Sequence, residues 1–76
     1  MAVKIERDFH GLTVDESSRQ LHQIIGNVRT SIGLAHVHLI VGHGPIREKV
    51  LEIYRDYGLL AQPDIGNAGV IVAIVE

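Results

Sequence analysis

The stretch that decides the fold is AHVHLIVGHGP, residues 35–45 of this 76-residue chain. Its first part, residues 35–41, is apolar except for two histidines and predicts a β-strand. The glycines within residues 42–44 then turn the chain, and Pro45 suits the first position of a helix. The stretch therefore predicts a strand that runs through a glycine loop into a helix.

Toward the N-terminus, the sequence predicts one more strand and one more helix. Residues 2–10 alternate between apolar and polar side chains, which is typical of a half-exposed strand, and Arg7 interrupts the apolar side as in a strand near a sheet edge. Thr13 and Glu16 have the spacing of a capping box that begins a helix. Gly33 is suited to end that helix. Its apolar residues recur at helical spacing: Leu21, Ile24, Ile25, Val28 and Ile32.

Toward the C-terminus, a second helix runs from Pro45 and ends at Gly58. Residues 59–62 are a short extended piece, residues 63–69 a polar turn, and residues 69–75 an apolar run typical of a strand inside a sheet. Strand–helix–strand units imply parallel pairing with right-handed crossovers. We therefore predict an α/β fold, a two-layer βαβαββ sandwich with a mixed, mainly parallel sheet packed by two helices, as one domain over residues 1–76.

Composition excludes several classes of site. The chain has no cysteine, so disulfides, thiolate zinc sites and cysteine nucleophiles are ruled out. Seven Lys and Arg against nine Asp and Glu give a net charge of −2, which disfavours strong binding driven by phosphate charge. No apolar stretch approaches the roughly 18–20 residues of a membrane span, and no signal peptide is visible. We expect a cytoplasmic protein with no membrane partner.

Two polar clusters should meet where the parallel strands end, the edge at which ligands of α/β folds tend to bind. The first contains Asp8 and His10, which are two apart on a predicted strand and should share one face. A carboxylate there can orient the imidazole, make it a stronger base, or share a metal with it. Alternatively, the two residues are a surface pair that caps the next turn.

The second cluster is Gly42, His43 and Gly44, just before the second helix. Free backbone N–H groups at a helix start bind anions, and a bound phosphate would explain Arg47 in the first turn. Alternatively, the glycines only make a tight turn, and Glu48 balances Arg47. Histidines also alternate within residues 35–41, but no carboxylate has a matching spacing, so we assign no metal ligands.

Three segments in order resemble the motifs of the Smr (small MutS-related) domain family. DFHGLT at residues 8–13 resembles the family's L-D-L-H-G opening. VGHG at 41–44, followed by residues 46–50, resembles the H-G-x-G loop and its helix. GNAGVIV at 66–72 resembles the closing strand motif. The departures are Arg7 before Asp8, Val41 at the start of the loop motif, and a loop about three residues shorter than usual. The alignment of this loop stays open between two registers.

The resemblance implies a fold similar to the C-terminal domain of translation initiation factor 3, with nucleic-acid binding or endonuclease activity. Family members occur as tails of MutS2-type proteins and as stand-alone chains. Carried over by matching position, Asp8 and His10 become catalytic candidates, and Gly42, His43 and Gly44 become the loop that faces phosphate.

We therefore expect an endonuclease acting on RNA or DNA. His10, oriented by Asp8, would activate water or a ribose 2′-hydroxyl, while the glycine loop and Arg47 hold the phosphate. A divalent metal ion is a cofactor that the sequence neither requires nor excludes. The alternatives are a non-catalytic nucleic-acid-binding module and an interaction domain whose exposed sheet edge pairs with a partner or forms a homodimer.

Overall fold

The elements follow the order βαβαββ, as predicted, in the computed structural model, which describes residues 3–76. In chain order they are β1 (Val3–Asp8), α1 (Val14–Asn27) with a π-helical turn (Val28–Ile32), β2 (Ala35–Ile40), α2 (Pro45–Asp56), β3 (Ala61–Asp64) and β4 (Asn67–Val75). β4 begins before the apolar run itself. The predicted polar turn over residues 63–69 therefore shrinks to Ile65 and Gly66, which join β3 to β4 as a hairpin.

Both ends of the first helical segment are closed as the sequence predicts. Thr13 Oγ1 accepts a hydrogen bond from the Glu16 N–H at 3.1 Å, and Glu16 Oε1 accepts one from the Thr13 N–H at 3.0 Å. At the other end Gly33, with φ +93°, donates its N–H to the Val28 carbonyl at 2.6 Å. Within residues 3–76, no helix has the length and apolar character needed to cross a membrane.

The sheet has the strand order β1-β2-β4-β3. β1 pairs with β2 in parallel, whereas β4 is antiparallel to both of its neighbours, β2 and β3. The sheet is mixed, but the prediction that it is mainly parallel is wrong. β1, β2 and β3 do run in one direction, as the crossovers require. β4 returns from β3 through the hairpin and lies between β2 and β3, so it replaces a parallel contact by two antiparallel ones.

The hydrophobic core lies between the helices and one face of the sheet. Side chains alternate along β2 and β4, so that one side of each strand is buried and the other is partly accessible. The buried hydrophobic residues are Phe9, Leu21, Ile25, Val28, Ala35, Val37, Leu39, Val41, Val50, Ile53, Tyr54, Ile71, Ala73 and Val75. They come from both helices and the sheet, as expected for a two-layer sandwich.

The opposite face of the sheet, which we call the open face, is not covered by any helix of the described residues. The strand register places ten side chains on it: Lys4, Glu6 and Asp8 of β1, His36, His38 and Ile40 of β2, Val70, Val72 and Ile74 of β4, and Gln62 of β3.

The two edges of the sheet are β1 and β3. Arg7 lies on the first edge, which confirms the edge position that its interruption of the apolar pattern predicted. β3 has only four residues, and its Pro63 has no N–H to donate to a further strand. A short, proline-containing edge and a charged edge are both poorly suited to pairing with another strand.

Candidate functional site

A cavity of about 550 Å³ opens between the β1–α1 loop and the β2–α2 loop. Four of the candidate site residues line it: His10 from the first loop, and Gly42, His43 and Gly44 from the second. The remaining lining residues are Leu12, Thr13, Val14, Val41, Pro45 and Ile46. The parallel pairing of β1 with β2 explains this meeting, because it brings the carboxyl ends of both strands to one edge.

Gly42 is the point at which the two loops approach each other. Its φ of +70° lies in the left-handed region that favours glycine. A Cβ atom at this position would lie 3.4 Å from His10 Cδ2, so the imidazole ring rests against the glycine. The loop is also tied to β4, since the Val41 and Gly42 N–H groups donate to the Gly69 carbonyl at 2.8 and 3.0 Å. The position of His10 therefore depends on a glycine in the other loop.

Gly69 supports the second histidine of the cavity and was not among the predicted site residues. A Cβ atom at Gly69 would lie 3.5 Å from His43 Nε2 and 3.3 Å from Asn67 Oδ1. The Asn67 Oδ1 atom accepts a hydrogen bond from the Gly69 N–H at 3.1 Å, which fixes the start of β4. The signal that could have found Gly69 is the glycine pair within GNAG at residues 66–69.

The start of α2 presents backbone donors to the cavity. Gly44 is the N-cap residue and has no side chain to cap the helix, while Pro45 has no N–H. Within residues 3–76, no group accepts a hydrogen bond from the N–H of Gly44 or Ile46. The positive end of the helix dipole and unpaired N–H groups together favour a bound anion.

Asp8 lies apart from this cavity. β1 ends at Asp8, Phe9 is buried, and the chain turns through Gly11 with φ +98°. His10 therefore lines the cavity between the loops, whereas Asp8 lines a cavity of about 540 Å³ on the open face. The expectation that the two side chains share one face is wrong, because the strand stops before His10.

The Asp8 carboxylate has a different contact with His10. Its Oδ1 atom accepts a hydrogen bond from the backbone N–H of His10 at 2.9 Å. This contact matches the turn-capping alternative, since Asp side chains commonly accept from the N–H two residues on. Asp8 thus holds the turn that presents His10 and does not orient the imidazole ring.

Arg47 is also outside the cavity lining. Its Nε donates to the Ala68 carbonyl at 3.4 Å, and its Nη1 lies 3.8 Å from the Glu48 carboxylate. The side chain links the first turn of α2 to the start of β4. The Arg47 backbone N–H donates to the Gly44 carbonyl at 3.1 Å, so Arg47 adjoins the second cluster, while its guanidinium is engaged outside the cavity lining.

The lining of this cavity is poorly suited to bind a divalent cation. Its lining includes the imidazoles of His10 and His43 and no carboxylate, whereas Mg²⁺ prefers oxygen ligands. No group of three or more His, Asp or Glu side chains in residues 3–76 could hold a metal ion. His36 and His38 do lie together on the open face, on the opposite side of the sheet from the helices.

The arrangement can perform acid–base chemistry on an anion. An imidazole nitrogen can accept or donate a proton, so a pair of exposed imidazoles can supply one base and one acid. The N–H groups of α2 supply the matching place for a phosphate. No protein-family model matches the chain, and comparisons with curated proteins and with solved structures found no similar protein.

Proposed function

We propose that this chain is an Smr-like domain that binds a nucleic-acid phosphodiester between its two loops and cleaves it, as an endonuclease of RNA or DNA. The observation that carries the proposal is the meeting of His10 and His43 at one cavity. The cavity lining also includes Gly44 and Ile46, whose N–H groups have no acceptor within residues 3–76, and free N–H groups at a helix start suit a phosphate. The motif resemblance of residues 8–13, 41–50 and 66–72 supports the same chemistry.

The phosphate accepts hydrogen bonds from the N–H groups of Gly44 and Ile46, between the two imidazoles. One imidazole removes a proton from the attacking oxygen, and the other gives a proton to the leaving 5′-oxygen. A bond forms between the attacking oxygen and phosphorus as the bond from phosphorus to the 5′-oxygen breaks. If the 2′-hydroxyl attacks, only RNA is cut and a 2′,3′-cyclic phosphate forms. If water attacks, RNA and DNA are both substrates.

Asp8 acts in this proposal as a positioning residue. Its carboxylate accepts from the His10 backbone N–H and so holds the turn from which the imidazole extends. Removal of the carboxylate should loosen the turn and lower the cleavage rate less than removal of the imidazole does. Asp8→Asn keeps an acceptor oxygen at the same place and should restore most of the rate lost in Asp8→Ala.

The test is a cleavage assay on labelled single-stranded RNA and on supercoiled plasmid, each with and without EDTA. We expect His10→Ala and His43→Ala each to lower the rate at least about 100-fold. His22→Ala is the matched control, because His22 lies on α1, contacts Tyr57 Oη at 2.9 Å and does not line the cavity. Far-ultraviolet circular dichroism checks that each variant folds. An inert wild type, or equal rates in all variants, would contradict cleavage at this site.

A non-catalytic binding module is the second candidate. It is favoured by the engagement of Asp8 with the backbone, because no carboxylate is then left to orient the His10 ring. In that case gel shifts should show nucleic-acid binding that falls with added salt and yields no cleavage products. The net charge of −2 predicts weak affinity in either case.

A further inference from the structure

We propose that the open face of the sheet is the contact surface for a second copy of this chain, in a two-fold dimer whose sheets stack face to face. By register, the open face has three rows that cross the strands. The first row is Lys4, His36 and Ile74, the middle row is Glu6, His38, Val72 and Gln62, and the third row is Asp8, Ile40 and Val70.

The apolar part of this surface lies on β2 and β4. Ile40 and Ile74 expose 47% and 48% of their surface, and Val70 and Val72 are half-buried between them. Leu60, just before β3, is 89% exposed and borders a cavity together with Val72 and Ile74. A contiguous apolar patch with a polar border is typical of a surface that contacts another protein.

The charges on β1 select one arrangement of the two copies. Lys4 lies in the first row and Asp8 in the third, at opposite ends of the strand. A two-fold axis in the interface and perpendicular to the strands places the first row of each copy over the third row of the other. Lys4 then faces Asp8 of the second copy, and the same contact recurs by symmetry. Ile74 faces Val70 of the second copy in the same way.

A two-fold axis parallel to the strands does not give this match. It would place Lys4 over the exposed Leu60 and Glu6 over Gln62 of the second copy, so the charges at the two ends of β1 would not meet each other. Across the perpendicular axis the middle row faces itself, so Glu6 faces Glu6 of the second copy. Lys4 Nζ, 3.5 Å from Glu6 Oε1 in the same copy, offsets this like-charge contact. The charge pattern therefore favours the perpendicular axis.

The size of the face fits a reversible dimer. Six-residue strands at about 3.3 Å per residue are about 20 Å long, and four strands at about 4.8 Å spacing are about 19 Å wide. The face is thus about 400 Å² in plan. Because side chains protrude from both faces, the total accessible surface buried by the two copies exceeds twice this plan area. It approaches ~1,200 Å², the lower end of specific interfaces. We expect a dissociation constant in the micromolar range.

Other occupants fit this surface less well. A nucleic acid would meet the carboxylates of Glu6, Asp8 and Asp64, which line one cavity on this face. Pairing of sheet edges would have to use charged β1 or the four-residue β3 with its proline. A second copy supplies both the apolar surface for β4 and the opposite charge for each end of β1.

Sedimentation velocity of the full chain over a range of concentrations tests the proposal. Wild type should pass from monomer to dimer as its concentration rises. Val72→Glu places a charge in the middle row and should raise the dissociation constant of the dimer at least tenfold. Gln23→Glu adds the same charge on the exposed surface of α1 and should leave dimerisation unchanged. Circular dichroism verifies that both variants fold.

Charge exchange tests the arrangement itself. Lys4→Asp should weaken the dimer, and the double variant Lys4→Asp/Asp8→Lys should restore it, because each pair is then reversed. Sedimentation of the wild type as a monomer up to millimolar concentration would overturn the proposal. A dimer insensitive to Val72→Glu would overturn it in favour of edge pairing. A wild type that stays monomeric while Val72→Glu loses RNA binding would overturn it in favour of a nucleic-acid surface. These readouts are independent of cleavage.

Discussion

The two loops that border the cavity begin their helices in opposite ways. In the β1–α1 loop, Thr13 and Glu16 exchange hydrogen bonds, so the start of α1 is closed by its own side chains. In the β2–α2 loop, Gly44 has no side chain, and the N–H of Ile46 has no acceptor within residues 3–76. The proposed anion site therefore belongs to the second loop, while the first contributes His10 to the same cavity.

The largest expected effect comes from the glycine at which these loops touch. Gly42→Ala should lower the free energy of unfolding by about 1–2 kcal/mol, because φ is +70° there. The added Cβ at 3.4 Å from His10 Cδ2 should also displace the imidazole and weaken binding of a short RNA. Urea denaturation and fluorescence anisotropy with labelled RNA measure the two effects.

Gly58→Ala is the matched control for this prediction. Gly58 has φ +71°, but it follows the end of α2, and no other side chain or backbone segment within residues 3–76 lies within 4 Å of a Cβ at this position. Gly58→Ala should lower the free energy of unfolding by a similar amount and leave RNA affinity unchanged. Equal loss of affinity in both variants would show that the contact between Gly42 and His10 does not support the site.

The two helix starts should respond in opposite ways when the capping side chain is removed from α1 and one is added to α2. Thr13→Ala should lower the free energy of unfolding by about 1 kcal/mol and leave RNA affinity unchanged. Gly44→Ser should raise stability by a few tenths of a kcal/mol, since the serine Oγ can accept a free N–H of α2. The same hydroxyl competes with phosphate, so RNA affinity should fall. Urea denaturation and anisotropy on both variants test the contrast, and an affinity increase in Gly44→Ser would contradict it.

The two helices share one feature, which gives a smaller prediction. Each buries a hydroxyl that has no hydrogen-bond partner within residues 3–76, Ser17 in α1 and Tyr54 in α2. Burial also raises the pKa of the Tyr54 hydroxyl. Tyr54→Phe should keep the packing and raise the free energy of unfolding by up to about 1 kcal/mol, because an unpaired buried polar group is removed. A drop in melting temperature would indicate that the hydroxyl has a partner.

The smallest expected effect is a pH dependence of the free energy of unfolding that arises at the start of α1. Hydrogen bonds from the Thr13 backbone and side chain lower the pKa of Glu16. A carboxyl whose pKa is lower in the folded state stabilises the protein above its unfolded pKa, and this contribution is lost as the pH falls through the folded value. Urea denaturation of wild type and Glu16→Gln should therefore differ slightly at pH 7 and converge in acid. A constant difference over the whole range would contradict a role for the charge.

Sequence predicted most of what depends on neighbouring residues. The Thr13–Glu16 capping box and the Gly33 helix end each form between residues close in the chain, so their signals are complete within short windows. The same holds for the apolar face of the first helix, which follows from periodicity. The two site clusters at residues 8–11 and 42–44 also follow from local patterns, because each lies where a predicted strand ends.

Sequence reasoning failed where two distant segments had to be placed against each other. Crossover rules correctly predicted the direction of the strands, but not that β4 would lie between β2 and β3. Nor did the sequence predict that Arg47 Nε donates to the Ala68 carbonyl, which β4 brings within reach. Gly69 supports His43 for the same reason. None of these contacts leaves a local pattern in the chain.

The sequence alone determined the order of elements, their caps and the two loops that carry the candidate residues, because periodicity and local hydrogen bonds act within a few residues. The sequence also predicted that the two loops meet at one edge of the sheet. Tertiary structure alone decided that Asp8 lies on the open face, apart from the cavity that His10 and His43 share. That outcome depends on the point at which β1 ends and on its parallel pairing with β2. Strand pairing joins residues far apart in sequence, and its register determines which side chains meet.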